Sequence, residues 1–362
     1  MSYAILGGCG FIGRNIVEKL VEDSSCTKII VCDKRRPEMS WLTPHQTECF
    51  SNPRVIYKQI NLANEKSVSD FFDEHPCDIM INSASETRQL PCYETYEENI
   101  FHLGMVVAKQ AAKMGCKKFI QITSARVKVL GNLNRRETTM TGILKAQQKL
   151  ESDLATIEGL NYVILRPALV YGMGDTVSIL PMLIVMAIYK NTGEELKVLW
   201  TENIKTRTVH AMDVAEASVF LGKSGESGKI YEICDKSEST HGKITKELAG
   251  LFDTKYKFMG KLENMMAESF FETAVRDINE KHLDLWSKAC SKDKITNTPL
   301  LPNFTEEQLM LDDFEVDSTP LEDLGFKFTH PTFEAAQLKE ILKAYVDQGI
   351  FPKSLYRLKS NH

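Results

Sequence analysis

Tyr3-Ala4-Ile5-Leu6-Gly7-Gly8-Cys9-Gly10-Phe11-Ile12-Gly13 runs from an apolar stretch straight into closely spaced glycines. Beyond it, Arg14 to Glu22 carries Ile16, Val17, Leu20 and Val21 at helical spacing, so the segment reads as strand, tight turn and helix. Each glycine has its own steric task. Gly7 permits the turn, Gly10 lets the backbone approach a bound group, and Gly13 lets the helix lie close on the strand. Unpaired N–H groups at the start of that helix, around Phe11 and Ile12, then face an anion.

A second strand is expected over Lys28 to Cys32, ending at Asp33, twenty residues beyond Gly13. A carboxylate at that place accepts hydrogen bonds from the hydroxyls of an adenosine ribose, which makes the whole a dinucleotide site of the NAD kind. Arg35 and Arg36 follow at once, and a guanidinium there is what a 2′-phosphate would pair with in NADP. A solvated basic turn is the alternative. The carboxylate tips the reading toward NAD.

Composition narrows the remaining classes. The chain has 362 residues, 43% of them hydrophobic, enough for one large α/β unit and a smaller lobe. Its formal net charge of -5, with no basic cluster interleaved with aromatics, speaks against a nucleic-acid partner. No apolar run approaches the roughly 20 residues of a membrane span, and no basic segment precedes an apolar one at the start, so a soluble, cytoplasmic protein is expected. Nine cysteines without a C-x-x-C pair argue against a disulfide framework and against a zinc site, and no metal is expected. Cys9 reads as a small residue filling the turn.

Strand and helix signals then alternate, the pattern of a parallel sheet covered on both faces. Strands are expected at Val55 to Gln59, Asp78 to Asn82, Lys118 to Thr123 and Tyr162 to Leu165, and helices at Ser67 to Glu74, Tyr93 to Met114 and Gly142 to Leu154. The fold class is α/β: a Rossmann-type, doubly wound parallel sheet with a smaller C-terminal substrate lobe. Residues 1–175, with returning segments near 205–235, form the dinucleotide-binding core, and 176–362 supply mainly the substrate lobe and C-terminal helices. In that lobe Thr240 to Phe252, Leu262 to Ala289 and Thr332 to Asp347 read as helices, with Phe270, Phe271, Val275, Ile278 and Leu283 or Leu285 as an apolar stripe. Thr296 to Asp317 reads as an irregular connection, and Leu180 to Tyr189 as a buried helix.

Four ordered motifs, the glycine turn, Ile122-Thr123-Ser124, Leu165-Arg166-Pro167-Ala168 through Val170-Tyr171-Gly172, and Arg207-Thr208-Val209-His210 through Asp213-Val214-Ala215, carry a family resemblance. Over about residues 1 to 235, with an echo at Leu324-Gly325-Phe326-Lys327, the chain resembles the extended short-chain dehydrogenase/reductase superfamily, which includes nucleotide-sugar epimerases and dehydratases and 3β-hydroxysteroid dehydrogenases. The resemblance implies a three-part device. A tyrosinate exchanges the substrate hydroxyl proton, a lysine four residues later lowers its pKa and holds the nicotinamide ribose, and a Ser or Thr orients the substrate oxygen.

Lys145 matches that lysine and Ser124 that hydroxyl, while Thr141 stands where the tyrosine belongs. Positions 141 and 145 share a helix face. An aliphatic hydroxyl is a far weaker acid than a phenol and too short to span the same gap. None of the eleven tyrosines has a lysine four residues downstream, which leaves distant ones such as Tyr93 or Tyr171 as substitutes.

The resemblance also implies that Asn61 and Leu62 lie near the adenine, Asn82 to Ser85 near the pyrophosphate and ribose, and Pro167 at the nicotinamide end. Asn99 is read either as a support for the active-site helix or as a solvated residue. Arg207 and His210 are read as pocket-shaping or as structural, Asp213 as the cap of a helix starting near Val214, and Tyr171 as pocket wall. The expected function is therefore that of an NAD(P)-binding pseudoenzyme with a structural, scaffold or regulatory role, partnered by a dinucleotide and by another protein or a second copy. The alternative is a divergent oxidoreductase or epimerase/dehydratase acting on a hydroxyl-bearing sugar-nucleotide or sterol-like substrate.

Overall fold

The computed structural model describes residues 1–88, 92–132, 139–304 and 313–359. Along the chain come β1 (Ser2–Leu6), α1 (Phe11–Glu22), β2 (Lys28–Asp33), α2 (Pro44–Phe50), β3 (Val55–Gln59), α3 (Glu65–Glu74), β4 (Ile79–Asn82), α4 (Tyr93–Tyr96), α5 (Leu103–Lys113), β5 (Lys118–Ile122), α6 (Thr139–Leu154) and β6 (Tyr162–Pro167). Then follow α7 (Leu180–Thr192), α8 (Ala211–Ser224), a seventh long strand at Lys229–Ile233, α9 (His241–Phe252), α10 (Lys261–Ser269), α11 (Phe271–Lys292), α12 (Thr319–Asp323) and α13 (Ala335–Asp347). Two units divide them: Met1–Val170 with Val209–Cys234 and Val316–His330, and Tyr171–Thr208 with Asp235–Glu315 and Pro331–His362.

The first unit is built on a seven-stranded sheet in the order Lys229–Ile233, β6, β5, β4, β1, β2, β3. Every neighbouring pair is parallel. Such strands are covered on both sides and must be apolar throughout, which is why Tyr3 to Leu6 and Ile29 to Cys32 are completely buried. On one face Leu6, Ile30, Met80 and Phe119 pack against Phe72 of α3, Val107 of α5 and Leu150 of α6. Each fully buried side chain of that size contributes about 1.5–3 kcal/mol. On the other face α1 packs with α8, and Gly222 of α8 approaches Tyr3 and Ile79 so closely that a Cβ there would lie 3.2 Å from the isoleucine. Winding reverses between β1 and β4, which opens a crevice at their carboxyl ends.

Several elements depart from expectation. Tyr93 to Met114 is helical but not one α-helix, because a π-helical stretch, Glu97–His102, joins α4 to α5. Lys261–Ser269 and Phe271–Lys292 are separate helices broken at Phe270, whose side chain is 70% exposed and so lies outside the expected stripe. The buried face of α11 keeps Phe271 and Val275 of that stripe and adds His282, Trp286 and Cys290, while Leu283 is exposed. Asp213 is not a cap: α8 begins at Ala211, and the ring of His210 accepts the Met212 N–H as its cap. The Asp213 carboxylate, fully buried, accepts the N–H groups of Thr329 and His330.

In the second unit α7 is the buried helix expected, with Leu183, Ile184, Val185 and Met186 all inside. Arg207 is paired with Glu315 and its side chain is only 15% exposed, so it is not a free surface cation. Of the expected irregular connection, residues 305–312 lie outside the described residues, and the flanking 293–304 and 313–318 carry no helix or strand.

Candidate functional site

The site is assembled where β1, β2, β4, β5 and β6 end. Gly7 adopts a left-handed φ of 73°, and its N–H donates to the Cys32 carbonyl at 2.8 Å, tying the turn to β2. A Cβ at Gly7 would fall 2.7 Å from the Ala84 backbone, and one at Gly13 only 2.2 Å from the Gly7 carbonyl oxygen. Only glycine fits either place. Gly10 donates to the Gly7 carbonyl at 2.9 Å, and α1 then starts at Phe11 without a side-chain cap. The result is a cradle of backbone N–H groups at Phe11, Ile12 and Gly13 at the positive end of a helix, with no Cβ at Gly10 or Gly13, which fits a pyrophosphate.

Arg14, which the sequence did not single out, holds this turn from behind. It is buried and donates to the carbonyls of Gly10 at 3.0 Å, Cys9 at 2.8 Å, Ser40 at 2.7 Å and Trp41 at 3.2 Å. Position 14, just inside the helix, was its only signal. Asp33 reaches the turn from the end of β2: one carboxylate oxygen accepts the Cys9 N–H at 3.0 Å and the other the Arg35 N–H at 2.9 Å. Each oxygen keeps a further lone pair for a ribose hydroxyl. Arg36 is engaged elsewhere, donating to Gln59 at 3.1 Å. The Cys9 thiol is pushed up to about 12, by burial first and by Asp33 second, and so stays protonated.

Asn61 is exposed and its side-chain oxygen accepts the Ala63 N–H at 3.1 Å, while Leu62 is buried beneath it. Asn82 is fully buried, donating to Gln121 at 2.9 Å and accepting from Ala84 N–H at 3.1 Å. It spans the ends of β4 and β5. Ser83 donates to the Leu6 carbonyl at 2.8 Å and so joins the same layer.

Ser124 follows β5, half-buried, with its hydroxyl accepting the Arg126 N–H at 3.2 Å. Lys145 lies on an exposed position of α6. Thr141 belongs to the same helix, but its side chain lies outside the described ones. Pro167 closes β6 and is buried. Sequence reasoning also missed Glu151, an acid on the buried stripe of α6. It accepts the Thr123 hydroxyl at 2.5 Å and the Arg166 Nε at 3.0 Å, and the guanidinium Nη2 completes a two-point pair. This joins α6 to the ends of β5 and β6, one residue from Ser124 and one from Pro167.

The two substitute tyrosines differ in their surroundings. Tyr171 is fully buried and its hydroxyl donates to Gln337 at 2.8 Å, so it is core of the second unit and not pocket wall. Tyr93 is exposed, and its ring lies 3.4 Å from where a Gly142 Cβ would be, beside the helix that carries Thr141 and Lys145. Asn99 spends its amide on its own helix, donating to the Thr95 carbonyl at 3.0 Å within the π-helical stretch.

The model of the NAD dependent epimerase/dehydratase family matches residues 3–234. A curated relative from Candida albicans, sterol-4-alpha-carboxylate 3-dehydrogenase ERG26, decarboxylating, is 29% identical over 185 residues, 48% of this chain and 52% of the relative. The chain thus matches only about half the length of that relative. Among solved structures, the dTDP-glucose 4,6-dehydratase DesIV of Streptomyces venezuelae, with NAD bound, superposes with a TM-score of 0.68 at 15% identity, covering 98% of this chain and 100% of that one. The dTDP-glucose 4,6-dehydratase of Bacillus anthracis, in complex with NAD, gives 0.67 at 15% identity over 98% and 99%. UDP-glucose 4-epimerase of Thermotoga maritima gives 0.56 at 20% over 72% and 87%. At these identities the superpositions establish the fold.

Proposed function

This chain belongs to the NAD dependent epimerase/dehydratase family, and on that footing we propose that it binds a nicotinamide dinucleotide but has lost the proton-transfer step of the family. The observation that carries this is Thr141 four residues before Lys145, where the resemblance requires a phenol. A threonine hydroxyl does not ionise in the range where a lysine's field can act on it. Losing a positioned acid-base group costs about two to four orders of magnitude in rate. The commitment of Tyr171 to Gln337 supports the same reading.

In this proposal the N–H groups at Phe11 to Gly13 hold the pyrophosphate, with Gly10 giving it close approach to the backbone, Asp33 takes the adenosine ribose, Asn61 and Leu62 border the adenine, and Lys145 and Pro167 hold the nicotinamide end. When bound, the dinucleotide supplies a hydride acceptor or donor. NAD is favoured over NADP because the Asp33 carboxylate repels a 2′-phosphate while Arg36 is engaged with Gln59. No helix among the described residues is long and apolar enough to cross a membrane, and all nine cysteines are free thiols, which supports placement in a reducing, cytoplasmic setting. The role is then structural, as scaffold or regulatory subunit, with the dinucleotide as effector. Calorimetry with NAD(H) and NADP(H), beside turnover on hydroxysteroid and nucleotide-sugar panels, tests this: binding without turnover is expected, and robust turnover overturns it.

A second reading is favoured by the sterol dehydrogenase relative and by the retention of Ser124 with Lys145. It is a divergent oxidoreductase oxidising the hydroxyl of a sterol-like carboxylate, with Ser124 orienting the oxygen and Lys145 the ribose. It requires hydride transfer visible at the nicotinamide absorbance that collapses in Lys145→Ala. A rate untouched by that substitution excludes it.

A further inference from the structure

At the amino-terminal end of the strands, opposite Asn82 and Ser124, two cysteines face each other. Cys77 and Cys116 each stand two residues before a register-paired residue, Ile79 of β4 and Lys118 of β5. The Lys117 N–H donates to the Asp78 carbonyl at 2.8 Å, which carries the pairing back to them. Paired strands run about 4.8 Å apart, inside the Cα separation of about 4.4–6.8 Å that a disulfide spans. The two sulfur atoms are 3.8 Å apart, both as free thiols. Cys77 belongs to the buried core cluster, whereas Cys116 packs on its rim and is partly open to solvent.

We propose that Cys77 and Cys116 form a redox modification site, at which a hydroperoxide oxidises Cys116 and Cys77 resolves the product into an intramolecular disulfide. The order follows from access and from charge. As a thiol, Cys116 donates to the Cys77 carbonyl at 3.3 Å. Once ionised, it accepts from the Cys77 S–H, which holds its pKa below the ordinary range, while the hydrogen bond and burial push that of Cys77 up. The Cys116 thiolate attacks one peroxide oxygen, the O–O bond breaks, and the leaving alkoxide or hydroxide takes up a proton. Cys116 is then a sulfenic acid. The Cys77 sulfur attacks it, the S–S bond forms as the S–OH bond breaks, and the departing hydroxide leaves with the Cys77 proton as water. Two electrons pass from the two thiols to the peroxide.

Treating the full chain with hydrogen peroxide and mapping its peptides without reduction tests this, with the exposed Cys92 as internal reference. A linked Cys77–Cys116 peptide lighter by two hydrogen atoms, reversed by dithiothreitol, is expected. In Cys77→Ser the sulfenic acid persists and dimedone labels Cys116; in Cys116→Ser neither the link nor a label at Cys77 forms. Both thiols still free at a dose that oxidises Cys92 would overturn the proposal, as would label at Cys77 in Cys116→Ser. The wild-type map decides even where a serine variant fails to fold. Dinucleotide affinity should stay within about twofold, since the pair lies at the amino-terminal end of the strands, away from their carboxyl ends.

Discussion

Gly13 and Glu151 show how much single atoms decide here. A methyl group at Gly13 would sit 2.2 Å from the Gly7 carbonyl oxygen, backbone against backbone, so neither side can yield without opening the turn. Gly13→Ala should cost about 3 kcal/mol of stability and weaken NAD binding together, read by urea melts and calorimetry. Glu151→Gln keeps the shape but leaves the half-buried Arg166 guanidinium without its counter-charge. That should cost about 3 kcal/mol, whereas unchanged stability would mean that the pair is replaced by water. At this scale the glycines were legible from the sequence because their spacing states their steric reason. Arg14 and Glu151 were not: a charged residue near a helix start or on a helix reads as solvated until the carbonyls and guanidinium that surround it are in place.

Elements were legible where periodicity was strong and blurred where their ends depend on distant partners. The strands β1 to β6 stand where apolar runs predicted them, within a residue or two. The cap of α8 was misread because Asp213, a good capping type, is drawn inward by the N–H groups of residues more than a hundred positions away. The joint between β1 and β4 carries a pH dependence. Asp78 accepts from the Ser2 N–H at 2.8 Å and the Ser2 hydroxyl at 2.9 Å, and pairs with Lys117 at 2.9 Å. The Ser2 backbone bond first, and then Lys117, hold its pKa at about 2, below the unfolded value. The folded state therefore binds this proton less readily, and the stabilisation is complete above pH about 4 and lost as pH falls toward 2. Asp78→Asn should be less stable than wild type at pH 7, with the difference closing between pH 4 and 2 in urea titrations.

Across the molecule, three histidines set a second and higher acid limit. His210 in the first unit and His241 and His282 in the second each have pKa values lowered to about 4, mainly by burial. Neutral in the fold, they take up protons near pH 6.5 only when unfolded, so stability is full above that pH and falls from there toward 4. The urea midpoint should drop between pH 7.5 and 5, and a flat profile would contradict the burial of these rings. At this scale the doubly wound parallel sheet followed from the motifs, but nothing in the sequence shows its strand order or which residues lie opposite Thr141. The central claim, a kept nucleotide cradle with a missing proton shuttle, is tested most directly by following nicotinamide reduction with a 3-hydroxysteroid 4-carboxylate in wild type and Thr141→Tyr side by side. The account predicts a wild-type rate at least about a hundredfold below that of the variant; a wild type that turns over as fast as Thr141→Tyr would contradict it.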